Sequence, residues 1–345
     1  MSVYTFWNNK GGTGKTSLAF QTICMYALEH SEEKILAIDL CPQANLSELF
    51  LGGLLGNGSH KNGSQNLMSL QNQNPRKSIG GYFQARLPSP YSMPSGLAPE
   101  SFLCKPESFN PNVPQNIDLV AGDSVLELQS NAIATLAIAQ IPGVESWVAI
   151  IDWVKDFIEV LKEKYDHIFI DANPSFSIYT QIALSCSDRL ILPVMADDSS
   201  RRGVQNAFAL VHGINLPSPT YLQYSFSQRL RQVSRNLPLI HIIAKNRLTQ
   251  YMGPASAYHS VLTTIDSFVS ELISSHPHIF TFSSLSSGVA EIRDFQTTGV
   301  VAFAKGLPFP RLRSGLHSIE NRRIQINSGN IEYCINAMNS LVSKI

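Results

Sequence analysis

The sequence has few charges, few cysteines and no long apolar run. Its five cysteines form no Cys-x-x-Cys pair and no regular spacing, so they suggest neither a zinc site nor a disulfide framework. No stretch approaches the roughly 20 apolar residues that span a bilayer. Charged residues make up only 15% of the 345, which leaves room for a surface that is covered in one working state. Because no basic leader or cleavable apolar segment precedes the first strand pattern, we expect a cytoplasmic protein with reduced thiols.

A net charge of zero conceals an uneven distribution along the chain. Residues 1–198 carry 12 Lys and Arg against 20 Asp and Glu, a net of −8, whereas residues 199–345 carry 14 against 6, a net of +8. Residues 199–265 hold seven basic residues and no acid. Such a division is typical of a face that binds nucleic acid, and equally of two halves that pair in a dimer. The charge pattern leaves both alternatives open.

Short apolar segments alternate with helical patterns along most of the chain. Strands are predicted at residues 3–7, 34–39, 167–171, 189–193 and 237–244, order resumes at residues 117–121 after a less regular stretch, and Trp147–Lys164 has an amphipathic helical period. This alternation predicts an α/β fold, a doubly wound and mostly parallel sheet with helices on both faces, in one domain over residues 1–345. Between about residues 52 and 115 the composition is rich in Gly, Ser, Asn and Pro, which predicts a long insertion or mobile region.

A glycine-rich loop follows the first predicted strand and opens the helical pattern Gly14–Glu29. Residues 9–17 read Asn-Lys-Gly-Gly-Thr-Gly-Lys-Thr-Ser. The glycines let backbone N–H groups turn toward phosphate oxygens, and the helix that follows adds its dipole. In this pattern Lys15 reaches the β and γ phosphates and the Thr16 hydroxyl ligates Mg²⁺. The sequence therefore predicts a P-loop NTPase that binds ATP and Mg²⁺, with nucleotide contacts from Gly11, Gly12, Thr13, Gly14, Lys15, Thr16 and Ser17.

Lys10 stands at the entrance of this loop, where the general pattern requires no lysine. It cannot easily reach the β and γ phosphates of its own nucleotide by the route that Lys15 takes. It either projects across a dimer interface toward a partner's nucleotide or is a solvated loop lysine.

The loop and four later segments together resemble the ParA/MinD family of ATPases. Residues 10–16 are similar to the family's deviant Walker A motif, and residues 39–45 (DLCPQAN) to its second motif, usually Asp-x-Asp-Pro-Gln-x-Asn. Residues 168–174 (IFIDANP) resemble its Walker B strand, and residues 191–197 and 241–247 match later strand ends. The similarity is faint after residue 260, and residues 52–115 have no counterpart in it.

The resemblance implies a role for each matched residue. Lys10 would contact nucleotide across an ATP sandwich dimer, and Asp39 would be the catalytic acid that positions the attacking water. Asp171 would hold Mg²⁺ through water, and Asn246 would contact adenine through its amide. Cys41 stands where the family usually has a second acid, so no such acid is present here for the magnesium shell.

The family's ParA branch binds nonspecific DNA as a dimer, and its MinD branch binds membrane through a C-terminal amphipathic helix. The apolar stripe of residues 331–345 has only Lys344 and Glu332 on its polar face, too few cations for anionic lipid. We therefore expect this helix to dock on the core, with no membrane contact. The basic half favours the DNA-binding branch, and two subunits together would form one positive face from the candidate phosphate contacts Arg229, Arg231, Arg235, Arg311, Arg313, Arg322 and Arg323.

The sequence thus predicts a ParA-like, nucleoid-associated ATPase. It would form an ATP-dependent homodimer on nonspecific double-stranded DNA and respond to a ParB-like or other adaptor protein. Cycles of hydrolysis would position a plasmid, a chromosome locus or another cargo. Two alternatives stay open, a membrane-cycling MinD-like regulator and a metabolic ATP-dependent enzyme on the same scaffold.

Overall fold

A computed structural model describes residues 1–56, 61–248, 257–320 and 322–345. Within these residues, an eight-stranded sheet has the strand order β3-β4-β2-β5-β1-β6-β7-β8, and every pairing is parallel except that of β3 with β4. A separate antiparallel hairpin joins β9 and β10. The prediction of a doubly wound, mostly parallel sheet is confirmed. The strands are Ser2–Phe6 (β1), Ile35–Leu40 (β2), Leu103–Cys104 (β3), Ile117–Val120 (β4), His167–Ala172 (β5), Arg189–Val194 (β6), Leu239–Leu248 (β7), Val289–Arg293 (β8), Gly315–Ile319 (β9) and Arg322–Ile326 (β10).

Helices cover both faces of the sheet because successive strand residues point to opposite sides. In β2, Leu36 and Ile38 belong to one apolar core, and Ile35 and Ala37 to the other. We call these the α8 face, which α4–α9, α11 and α12 cover, and the α1 face, which α1–α3, α14 and α15 cover. The α-helices are Lys15–Glu29 (α1), Asn45–Phe50 (α2), Gly63–Gln71 (α3), Ile79–Arg86 (α4), Val125–Ala137 (α5), Ser146–Ile151 (α6), Trp153–Leu161 (α7), Ile178–Ser185 (α8), Asp198–His212 (α9), Pro219–Gln223 (α10), Phe226–Gln232 (α11), Ala257–Ser275 (α12), Leu285–Gly288 (α13), Gln296–Ala304 (α14) and Ser328–Val342 (α15).

Residues 61–115 are more ordered than their composition predicts. Helix α3 begins with a capping box, and α4 begins at a Ser78 side chain that accepts a hydrogen bond from the backbone of Gly81. The aromatic ring of Tyr82 is fully buried, 4.9 Å from that of Phe157 on α7. The expectation of a mobile region is therefore wrong for residues 61–115, because a few large aromatic side chains anchor a segment that lacks regular periodicity. That residues 52–115 form an insertion in a single domain stays a prediction.

The predicted helix Trp147–Lys164 is two helices, α6 and α7, which meet at Asp152. The Asp152 carboxylate accepts hydrogen bonds from the Arg235 guanidinium at 2.7 and 2.9 Å. The amphipathic period continues across the break, so the sequence pattern did not reveal it.

The C-terminal helix α15 docks on the α1 face, as its apolar stripe predicts. Cys334, Met338 and Leu341 are buried in that core. The stripe is therefore already covered within the fold. No helix in the described part of the chain combines the length and the apolar character that crossing a bilayer requires.

Candidate nucleotide-binding site

The glycine-rich loop joins the end of β1 to the start of α1 and has the backbone that the sequence predicts. Gly12 and Gly14 have φ angles of 75° and 82°, in the left-handed region that favours glycine. A Cβ atom on Gly14 would lie 2.2 Å from Nδ2 of Asn246, so a side chain there would clash. Asn246, near the carboxyl end of β7, donates from this nitrogen to the carbonyl of Thr13 at 2.9 Å. Asn246 thus holds the glycine-rich loop in position through a hydrogen bond to its backbone.

Asn246 uses both polar atoms of its side chain in this arrangement. Its Oδ1 accepts a hydrogen bond from the backbone N–H of Arg247 at 2.9 Å, and the residue is only 3% exposed. The predicted contact with adenine stays a prediction. The role of holding the loop in position was not visible in the sequence, because it depends on how β7 lies beside the loop.

The structure brings together the four residues predicted to act on the phosphates. Lys15 and Thr16 begin α1, and Asp39 and Asp171 are register partners near the carboxyl ends of neighbouring strands β2 and β5. The Thr16 hydroxyl donates to Oδ2 of Asp171 at 2.7 Å. Lys15 is buried, and burial lowers the pKa of its ammonium group although the nearby Asp171 carboxylate opposes that shift. The site therefore places a lysine against two acids.

Burial is the largest influence on the pKa values of the two carboxyl groups. Burial, followed by the charge of Asp171, raises the pKa of Asp39. Burial also raises the pKa of Asp171, against hydrogen bonding from Thr16 and the charge of Lys15. Both shifts follow from removing an anion from water, and an added cation would reverse them.

The residues present fit a Mg²⁺ ion. Among the described residues, Oδ1 of Asp171 and Oγ1 of Thr13 are buried without a hydrogen-bond partner. A carboxylate oxygen and the Thr16 hydroxyl are the hard oxygen ligands that Mg²⁺ prefers, and the ion commonly completes its shell with water and phosphate. Asp171 and Thr16 would hold the ion, and the unpartnered atom of Asp171 would gain an electrostatic partner.

A serine that the sequence reasoning missed holds Asp39 in place. The backbone N–H and the hydroxyl of Ser47, on α2, donate to Oδ2 of Asp39 at 2.8 and 2.7 Å. The Ser47 hydroxyl oxygen accepts from the N–H of Gly122 at 2.8 Å. Because Asp39 is fully buried in this conformation, its predicted contact with an attacking water requires this segment to open. No sequence pattern distinguishes Ser47 from other serines.

Lys10 forms an ion pair within its own chain. Its ammonium group donates to both carboxylate oxygens of Asp197, at 2.6 and 2.5 Å, and to the Ser200 hydroxyl at 3.1 Å. Asp197 also caps α9 by accepting from the N–H of Ser200 at 2.7 Å. Desolvation alone would raise the pKa of Asp197, but hydrogen bonds, led by that of Lys10, outweigh it and lower the pKa to about 2. Asp197 ends one of the matched segments, although no role was predicted for it.

Helix α9 packs directly against the entrance of the loop. A Cβ atom on Gly203 would lie 2.9 Å from Oδ1 of Asn8 and 3.2 Å from Cβ of Lys10. Asn8, which the sequence reasoning also missed, is fully buried and donates to the carbonyl of Pro193 at 2.7 Å. Its Oδ1 accepts from the N–H of Lys10 at 3.0 Å. The loop entrance, β6 and α9 therefore form one connected unit.

The seven candidate DNA-binding arginines lie in two groups on opposite faces of the sheet. On the α8 face, the Arg229 guanidinium lies 3.9 Å from the ring centroid of Trp147, and Arg235 is paired with Asp152. The other group is exposed around the hairpin on the α1 face. One chain therefore does not present all seven on one surface, because α11 and the hairpin pack on different cores. The exposed arginines of the hairpin group are Arg311, Arg313, Arg322 and Arg323.

Comparisons with known proteins agree with this architecture. A family model named AAA_31 and described as an AAA domain matches residues 1–223. An uncharacterized protein of Methanocaldococcus jannaschii is 27% identical over 262 residues, which covers 71% of this chain and 85% of the relative. A putative plasmid partition protein from Borrelia burgdorferi bound to AMPPNP has a TM-score of 0.55 at 18% identity, covering 100% of this chain and 99% of that one. An ATP complex of a McdA variant from Cyanothece has a TM-score of 0.58 at 14% identity, covering 99% and 96%.

Proposed function

The chain belongs to the AAA_31 family of AAA domains, of the ParA/MinD type, and from this membership we propose that it hydrolyses ATP in a Mg²⁺-dependent reaction. The observation that carries the proposal is the convergence of Lys15, Thr16 and two buried carboxylates beside the glycine-rich loop. The similar structures are described with ATP or its analogue bound, which supports the same ligand here. Bound Mg²⁺ supplies positive charge beside the phosphate oxygens.

Each side chain has a task that its position supports. Backbone N–H groups of the loop bind phosphate oxygens, and Lys15 pairs with their charge. Asp39 orients the attacking water and accepts its proton, a task that suits a carboxyl group whose pKa burial has raised. Because Ser47 holds Asp39 in the buried position, hydrolysis requires the contact between them to loosen.

The test is Asp39→Ala, which removes the proton acceptor and leaves the phosphate-binding loop unchanged. We expect ATP affinity close to that of the natural protein and hydrolysis lower by roughly 10²- to 10⁴-fold. ATP binding is measured by calorimetry and hydrolysis by phosphate release in a single turnover. Glu271→Ala, at an exposed acid on α12, is the control and should change neither. Hydrolysis at the natural rate in Asp39→Ala would show that another residue is the base.

We further propose that ATP drives formation of a homodimer in which Lys10 contacts the partner's nucleotide. Lys10 already lies at the loop entrance, with 21% of its side chain exposed. In the structure its charge is satisfied by Asp197 instead. Dimer formation would therefore exchange the Asp197 carboxylate for phosphate oxygens as the partner of this lysine, which links ATP occupancy to assembly.

Sedimentation with ADP and with ATP tests this exchange. We expect monomer with ADP, dimer with ATP, and a weaker ATP dimer in Lys10→Ala with nearly unchanged monomer affinity for ATP. Asp197→Asn keeps a good helix cap but removes the charge that holds Lys10. It should strengthen the ATP dimer by up to about thirtyfold, since dimer formation breaks one such pair in each subunit and a partly exposed ion pair contributes at most about 1 kcal/mol. A dimer indifferent to nucleotide would contradict the model of assembly.

The dimer, in this proposal, binds nonspecific double-stranded DNA through the hairpin group of arginines. These arginines are exposed, and no acid occurs between Phe295 and Ile319. A ParB-like or other adaptor protein would stimulate hydrolysis and release, so that the cycle positions a plasmid, chromosome locus or other cargo on the nucleoid. The docking of α15 favours this cycle over the membrane-based alternative, because its apolar stripe is covered.

Binding of random duplex across a salt series tests the DNA contact. Replacing Arg322 and Arg323 together by Glu should weaken binding to all duplexes alike, because phosphate contacts carry no base readout. Each lost contact should flatten the slope of log K against log salt by about 0.9. The matched control replaces Lys162 and Lys164 by Glu in the acidic half and should leave the slope unchanged. No binding of the ATP-loaded Asp39→Ala protein at low salt would remove the DNA-based proposal.

A further inference from the structure

A cavity of about 990 Å³ lies at the end of the sheet opposite the phosphate loop. Asp188, just before β6, and Leu239, the first residue of β7, line one side. His212 at the end of α9, Arg231 on α11 and His276 after α12 line the others. Ligands of doubly wound sheets bind at the carboxyl ends of the strands, whereas this cavity lies at the amino ends. It is therefore separate from the nucleotide site.

The imidazole of His212 is the unusual group in this cavity. It is 3% exposed, and neither ring nitrogen has a hydrogen-bond partner among the residues that the structure describes. Desolvation, and then the charges of Arg231, His278 and His276, lower the pKa of His212 to about 3. The ring is thus neutral at physiological pH and offers one N–H donor and one acceptor nitrogen. A buried polar group without a hydrogen-bond partner lowers the stability of the fold, so a ligand that forms a hydrogen bond with this ring would recover that free energy on binding.

The charges around the ring favour an anion. Arg231 is exposed at the rim, and no acid pairs with it in the described parts of the chain. The guanidinium of Arg235 is neutralised by Asp152 at 2.7 Å. The one acid in the lining, Asp188, is exposed and accepts a hydrogen bond from the N–H of Val3 at 2.8 Å. The charges that line the cavity therefore sum to zero, and the attraction for a small anion comes from Arg231 itself, whose guanidinium no acid pairs with in the described residues.

Part of the remaining lining is apolar, and the volume is large. Ile214, Leu222, Leu237 and Ile279 contribute aliphatic side chains. Ligand sites of small organic molecules have volumes of roughly 300 to 1,000 Å³ and combine an apolar lining with a few convergent polar groups. A free inorganic anion would leave most of this cavity empty, so the shape fits an anion that carries an apolar body.

We propose that this cavity is a second ligand site, which binds an organic oxyanion with its charged head between Arg231 and His212 and its apolar body against Ile214 and Leu222. The N–H of the His212 ring donates to the oxyanion, and the Arg231 guanidinium pairs with its charge. The site does not depend on the proposed ATPase activity, because none of its lining residues belongs to the phosphate loop or the carboxylate pair.

The probe is phenyl phosphate, titrated into the full chain saturated with ADP and Mg²⁺ so that the phosphate loop is occupied. Inorganic phosphate and phenol test the head and the body separately, and benzoate tests whether a carboxylate serves as well as a phosphate. Calorimetry gives affinity, and the ring C–H resonances of His212 report whether the probe lies beside it. We expect phenyl phosphate to bind more tightly than phosphate or phenol and to shift those resonances.

Two variants identify the contacts. Arg231→Gln should weaken phenyl phosphate binding by about tenfold or more, since a charge-assisted hydrogen bond is lost. Lys155→Gln, which removes one positive charge at an exposed position on α7 outside the cavity, is the control and should bind like the natural protein. His212→Phe keeps the ring volume but removes both nitrogens and should abolish the preference for phenyl phosphate over phenol. If that variant does not fold, Arg231→Gln and the His212 resonances still decide the question.

Three results would overturn the proposal. The first is an absence of binding by both phenyl phosphate and benzoate. The second is binding that leaves the His212 resonances unmoved or is unchanged in Arg231→Gln. The third is phenol binding as tight as that of phenyl phosphate, which would show an apolar cavity without an oxyanion site.

Discussion

The two ends of one sheet bury titratable groups of opposite kind. At the carboxyl ends of the strands, Asp39 and Asp171 lie beside the phosphate loop with their pKa values raised by burial. At the amino ends, His212 lies in a cavity with its pKa lowered by burial. The same desolvation favours the neutral form in both places. The two ends should therefore respond to added charge in opposite ways: a bound cation would lower the raised pKa values of the acids, and a bound anion would raise the lowered pKa of the imidazole.

The sharpest way to test this contrast is the stability of the nucleotide-free protein in acid. The pKa of His212 is about 3 in the folded protein and roughly 6.5 in the unfolded chain. The contribution of the neutral ring to the free energy of unfolding is therefore fully present above pH 6.5 and is lost as pH falls. Between pH 6.5 and 5 this loss should approach about 2 kcal/mol. Urea unfolding of His212→Phe should show a smaller loss over that interval. His30→Gln, at an exposed histidine outside the cavity, is the control, and identical pH profiles of natural protein and His212→Phe would contradict the expectation.

The acids should respond in the opposite direction and to a smaller extent. The pKa values of Asp39 and Asp171 are higher in the folded protein than the value of roughly 4 in the unfolded chain. Their contribution to the free energy of unfolding is therefore present below pH 4 and is lost as pH rises through the raised values. Without Mg²⁺, Asp171→Asn should reduce this loss between pH 5 and 7.5 by on the order of 1 kcal/mol. Unfolding in a chelating buffer measures it, with the exposed Glu127→Gln as control. The expectation would be contradicted if the natural protein became more stable as pH rises across this interval and Asp171→Asn showed the same pH dependence.

Local patterns predicted the parts of the site that are contiguous in sequence. The glycine-rich loop is such a part, because Gly12 and Gly14 need left-handed backbone and Lys15 and Thr16 follow in a fixed register. Apolar runs that end in an acid likewise predicted that Asp171 would stand at a strand end. The alternation of such runs with helices was enough to predict the class of sheet.

Contacts between distant segments could not be predicted in this way. Ser47 reaches Asp39 across a turn, and Asp197 meets Lys10 from the end of another strand. The order of residues 61–115 escaped prediction because aromatic packing rather than periodicity fixes it. The sequence analysis did not single out His212, and only the fold shows that its ring lacks a hydrogen-bond partner among the described residues.

Helix α9 spans the distance between the two ends of the sheet. Its 15 residues give a rod of roughly 22 Å, capped by Asp197 at the loop entrance and ending at His212 in the cavity. Gly203 packs closely against Asn8 about a third of the way along, so a tilt of the helix would pivot at this contact. If release of Lys10 from Asp197 lets α9 tilt by about 10°, the end of the helix at His212 moves by roughly 2 Å, because it is the end farther from Gly203. The shorter part of the helix, before Gly203, begins at the Asp197 cap, and the longer part, after Gly203, would move His212.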